Sequence, residues 1–87
     1  MLDEFLNREV VLDFRSEFVC LGTLKSYTTE TFELKNADLH DLRDTDTSRE
    51  NYVAASLATG IKRNRKRLVV FRSEVVAISR LDEVADT

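Results

Sequence analysis

Proline is absent from this 87-residue chain, and glycine occurs only twice, at Gly22 and Gly60. Turns must therefore be made by Ser, Asn, Asp and Thr, and no Pro/Gly-rich stretch separates one folding unit from another. A single cysteine, Cys20, excludes an internal disulfide. It sits in an apolar strand pattern, where free cysteine behaves as a small hydrophobe, and this fits a reducing compartment. The lone histidine, His40, has no second His or Cys at ligand spacing, so it is expected on the surface and no metal or other cofactor is expected. No apolar run approaches the roughly 18 residues a membrane helix needs, and no basic leader precedes an apolar segment. The expectation is a cytoplasmic protein without a membrane partner.

What is present is ordinary globular material: 43% hydrophobic and 33% charged residues, with a net charge of −3. The length allows one small core, expected as a domain over residues 1–82 with a tail at 83–87. Charge is polarised. Five of the six residues from Lys62 to Arg67 are basic, while Asp38, Asp41, Asp44, Asp46 and Glu50 gather upstream. The acidic group lacks the glycine and terminal glutamate of an EF-hand loop, which points to a solvated acidic loop. No Gly-x-Ser-x-Gly elbow or glycine-rich phosphate loop occurs, and the chain is too short to wall off a dry pocket. Enzymatic activity is not expected.

Leu2, Phe5 and Leu6 fall at helical spacing and predict a short N-terminal helix ending at Asn7 or Arg8. Arg8, Val10, Leu12 and Phe14 alternate with a more mixed set, predicting a half-buried strand. After the polar turn Arg15–Ser16–Glu17, the run Phe18 to Leu24 has apolar residues on both faces. Glycine inside a strand marks a bend or the close approach of another backbone, and Gly22 is placed for either. Phe32 and Leu34 open a third strand whose phase changes at Asn36, predicting a bulge or break. Thr47-Ser48-Arg49-Glu50 has capping-box spacing and predicts a helix over about 48–59, with Gly60 as its C-terminal cap. Two β-branched or aromatic runs, Leu68 to Phe71 and Val75 to Ile78, then flank the tight turn Arg72-Ser73-Glu74.

These segments resemble the Sm/LSm family. Gly22, Leu24 and Tyr27 match its first motif of glycine, apolar residue and aromatic residue. The run Val69 to Ser79 matches its second, an apolar strand, an Arg-Gly turn and a strand ending in Ile-Ser, except that Ser73 stands for glycine. The resemblance covers about Leu2 to Asp82. It implies a mainly β fold, a five-stranded bent antiparallel barrel of the SH3-like, Sm-like kind, with the N-terminal helix capping one end. The helix at 48–59 is an insertion between strands three and four, where ordinary Sm proteins have a shorter, irregular connection. The resemblance further implies a homo-oligomeric ring, strand four pairing with strand five of a neighbour, that binds or chaperones single-stranded RNA.

Arg72 is the clear survivor of the family's RNA site. Tyr27 holds the aromatic position, Thr28 stands where the family has Asp, the family Asn falls at Thr31 or Phe32, and the stacking position lies close to Glu30. A carboxylate repels phosphate and cannot stack a base, so a uridine pocket of the usual kind is not expected. If the Ser73 turn needed φ > 0, it would store about 1 kcal/mol or more of strain; another turn type would avoid this. Lys62, Arg63, Arg65, Lys66 and Arg67 form a second candidate, a contact to phosphates, set against pairing of these cations with the acidic 38–50 segment of the same or a neighbouring chain. The rival function is a ring-shaped structural or protein-interaction module without the base pocket, docking a protein on an apolar stripe of helix 48–59 centred on Val53 and Leu57.

Overall fold

The computed structural model describes residues 1–85, so the last two residues of the expected 83–87 tail lie outside the described residues. Five antiparallel strands form one sheet: β1 (Glu9–Phe14), β2 (Phe18–Tyr27), β3 (Thr31–Asp41), β4 (Arg65–Phe71) and β5 (Val75–Arg80). Their order is β4-β3-β2-β1-β5, which leaves β4 and β5 as the two edges. One helix, α1 (Arg49–Thr59), lies between β3 and β4 as an insertion.

The sheet bends where the sequence breaks phase. Lys35 pairs with Thr23 and Asp38 with Leu21, so β3 carries an extra residue across this step. Asn36 absorbs it in the left-handed region at φ 53, a conformation Asn tolerates better than most residues. Gly22 lies between the two registered pairs, and a Cβ there would stand 3.1 Å from the Ala37 Cα and the Leu34 Cδ2. Close approach of a neighbouring strand is therefore what the glycine permits.

The bent sheet has two interiors. Val10, Leu12, Cys20, Leu24, Phe32, Leu34, Ala37 and Val70 fill the first. Leu2, Phe5 and Leu6 close its end. The expected N-terminal helix is thus present, as a 3-10 turn at Leu2–Phe5. Val11, Val19 and Leu21 point to the other side and pack with Val53 and Leu81. Here the half-buried strand expectation needs correction: Val10, Val11 and Leu12 are all buried, because α1 and the 3-10 turn Leu81–Glu83 cover the second face.

Helix α1 starts at Ser48, whose hydroxyl accepts from the Asn51 amide. The cap is therefore Ser48 and not Thr47, one residue later than the capping-box spacing suggested. At the other end Gly60 has φ 90 and donates its amide to the Ser56 carbonyl, a conformation that favours glycine. The expected apolar stripe is split, since Val53 is buried against the barrel while Leu57 is 40% exposed. Arg72–Glu74 forms a 3-10 turn. Among the described non-glycine residues only Asn7 and Asn36 have positive φ, so Ser73 carries no left-handed strain.

Candidate nucleic-acid interface

Two turns meet at one end of the sheet. The β2–β3 turn is tied by Thr28, whose hydroxyl accepts from the amides of Glu30 and Thr31 and shares a 2.9 Å hydrogen bond with the Thr31 hydroxyl. The β4–β5 turn joins it through the backbone, the Arg72 amide donating to the Glu30 carbonyl at 2.8 Å. The Arg72 side chain then crosses back, donating to the Thr28 carbonyl with its guanidinium 5.1 Å from the centre of the Phe32 ring, within cation–π range. Arg72 is thereby brought to the neighbouring Tyr27 and Thr28, from which it is distant in sequence.

Tyr27 donates its hydroxyl to the Asp3 carboxylate. That hydrogen bond, ahead of burial and the Asp3 charge, raises the phenol pKa and links the turn to the N-terminal segment. Beside Arg72 lies a depression of about 450 Å³ lined by Thr29, Glu30, Phe71, Arg72 and Ser73. Phe71 is 65% exposed there. Sequence reasoning passed over Phe71 because it ends an apolar run; its alternation with the inward Leu68 and Val70 was the available signal.

The basic run occupies the other end of β4. Asn64 anchors it to β3: its side chain accepts from the Leu39 amide and donates to the Leu39 carbonyl, both at 3.1 Å, and its own amide donates to the Ala37 carbonyl. Around this clamp Lys62, Arg63, Arg65 and Lys66 are exposed. Arg63 donates to the Asn36 side chain and Arg65 to the Asn64 carbonyl. Arg67 pairs with Glu33 at 2.8 Å, and this contact holds the Glu33 carboxyl below its ordinary value. Pairing with the acidic segment of the same chain is therefore corrected: among the described residues no cation of the run meets a carboxylate between Asp38 and Glu50.

The acidic segment is also not a purely solvated loop. Asp38 is only 9% exposed and accepts the Tyr52 hydroxyl of α1. His40, expected at the surface, stacks on Tyr52 with ring centres 4.1 Å apart and planes 7° off parallel. Its Nε2 is buried without a hydrogen-bond partner among the described residues. Burial, and then the Asp38 hydrogen bond, push the Tyr52 phenol pKa up. Nothing in the sequence signalled this cluster, because Tyr52 reads as one aromatic in an Ala-rich helix and its partners lie 12 and 14 positions away. No group of metal-binding side chains occurs among the described residues, and none of their helices is long and apolar enough to cross a membrane.

The fold as a whole has a counterpart among solved structures. An Sm protein of Pyrococcus abyssii, determined in complex with a uridine heptamer, matches over 91% of this chain and 90% of its own, with a TM-score of 0.63 and 17% identity. The fold is Sm-like. Neither a protein-family model nor a curated protein matches the sequence. The Sm-like barrel of this chain carries a full helix between β3 and β4.

Proposed function

We propose that this protein is a ring-forming, single-stranded RNA-binding protein. The observation that carries the proposal is the meeting of the β2–β3 and β4–β5 turns around Arg72, which sets a cation beside the exposed Phe71 at one end of the sheet. The Sm protein that shares the fold was solved with a uridine heptamer, and single-stranded RNA is bound by joining cationic grooves to stacking surfaces. Lys62, Arg63, Arg65 and Lys66, which meet no carboxylate among the described residues, supply a phosphate contact.

The two open edges support assembly into a ring. β4 exposes Val69 (41%) and β5 exposes Val76 (65%), so each edge offers both unpaired backbone and an apolar side chain. Such edges are an aggregation liability unless paired, and head-to-tail pairing of β4 with a neighbour's β5 closes a ring.

A specific observation favours the rival, an assembly module without RNA. Arg72 is already satisfied by the Thr28 carbonyl and the Phe32 ring, as a purely structural arginine would be. The two are separated by measuring mass by light scattering while titrating labelled U-rich and A-rich RNA at low and physiological salt. The RNA-binding function requires a ring whose affinity falls as salt rises and drops on Arg72→Ala with ring mass unchanged. A ring that binds no RNA establishes the assembly module, and wild-type affinity in Arg72→Ala removes Arg72 from the site. Val69→Asp places a charge on the exposed edge and should yield monomers; an intact ring would show that assembly uses another surface.

A further inference from the structure

The depression beside Arg72 differs from a phosphate site in one respect: Glu30 stands in its wall. The Glu30 backbone is engaged on both sides, its amide by the Thr28 hydroxyl and its carbonyl by the Arg72 amide. Among the described residues its carboxylate meets no donor. Arg72, the cation in the same wall, is turned toward the Thr28 carbonyl and the Phe32 ring. The residues lining the pocket therefore include a carboxylate that meets no donor among the described residues, the aromatic Phe71, and the hydroxyl-bearing Thr29 and Ser73.

We propose, building on the RNA-binding function above, that this pocket takes an unpaired guanine base, stacked on Phe71 with its Watson–Crick edge against the Glu30 carboxylate. An ionised carboxylate is an acceptor only, with two oxygens side by side. Guanine alone among the four bases presents two adjacent donors, N1–H and the N2 amino group, which fit it bidentately. Uracil presents N3–H between two carbonyl oxygens that the carboxylate repels. Adenine and cytosine offer one amino donor next to a ring acceptor. The hydroxyls of Thr29 and Ser73 can donate to guanine O6. Single-stranded RNA exposes this edge, and aromatic stacking tolerates any base, so Phe71 supplies affinity and Glu30 the choice.

The pocket sits at the Phe71 end of β4 and the basic run at the Arg65 end, roughly 20 Å apart at strand rise. One nucleotide cannot touch both, and only an oligonucleotide gains from the two together.

The test uses labelled heptamers, U7 and U7 with its central base replaced by G, inosine or A, bound to the full chain. The G heptamer should bind about tenfold tighter than U7, the size of one good bidentate contact, with inosine, which lacks the N2 amino group, falling between. Glu30→Gln should abolish the preference without weakening U7. Phe71→Trp keeps the ring and reads the stack: its emission should be quenched by the G heptamer. Equal or tighter binding of U7, a preference that survives Glu30→Gln, or an unquenched Phe71→Trp at saturation each overturns the guanine pocket while leaving RNA binding intact. No binding of any heptamer overturns both.

Discussion

The two faces of the sheet are built on different principles. The first is apolar throughout, from Val10 and Leu12 to Leu34 and Val70. The second mixes apolar residues with polar ones: the buried Asp38 carboxylate and the His40 imidazole come from β3, and the Tyr52 phenol and buried Ser56 come from α1. Apolar packing on the first face is non-directional and cooperative with the whole sheet. The polar contacts of the second face are directional, so α1 is held at one orientation rather than merely covered. The first face makes the barrel, and the second fixes the insertion on it.

Substitutions can break this comparison, and the largest effect belongs to the first face. Leu12 is fully buried in the apolar cluster, and Leu12→Ala should cost about 2–5 kcal/mol, lowering the chemical denaturation midpoint in one cooperative transition. A two-step transition would mean that the faces fold independently. Next in size, Tyr52→Phe leaves the Asp38 carboxylate without its phenol donor, which should cost about 1–3 kcal/mol. Amide exchange should then rise in α1 before it rises in β1 and β2; a uniform rise would show that the Tyr52 contact serves the whole barrel.

How much of this was legible in sequence depends on range. Gly22, Asn36 and Gly60 announced a close approach, a bulge and a helix end, because backbone geometry at one or two residues decides such features. The Asp38–Tyr52–His40 cluster was illegible, since its partners meet only after α1 docks. The same holds for the candidate site: Arg72 could be singled out, whereas the exposure of Phe71 at an open edge became apparent only once β4 was placed.

Smaller effects sharpen the picture. Ser48→Ala removes the α1 cap and should cost about 1 kcal/mol, seen as reduced helical circular dichroism with the strand signal unchanged; wild-type helicity would show that packing alone sets the helix start. The smallest effect lies outside both faces. Asp41 takes hydrogen bonds from the Arg43 side chain and amide, and these, the side chain's foremost, hold its carboxyl at about 2. Because that value lies below the ordinary one, the stability it contributes is present above the usual carboxylate range and fades as pH falls toward about 2. Asp41→Asn should remove that contribution at neutral pH, a small loss as expected for an exposed pair. The acid limb of the stability curve should then flatten in that window, with stability at the acid end of the window unchanged. An unchanged acid limb would assign the window to other carboxylates.

The sequence by itself determined the order of elements, the bend at Gly22 and Asn36, and a helix ending at Gly60, because each follows from local propensity, capping and backbone freedom. Only the tertiary structure decided which surfaces are covered. Val11 became buried because α1 lies over it, His40 became half-buried because Tyr52 stacks on it, and Phe71 stayed exposed because no strand of the same chain pairs beyond β4. Burial is a property of neighbours brought from far along the chain, and it is burial that sorts these residues into core, latch and candidate binding surface.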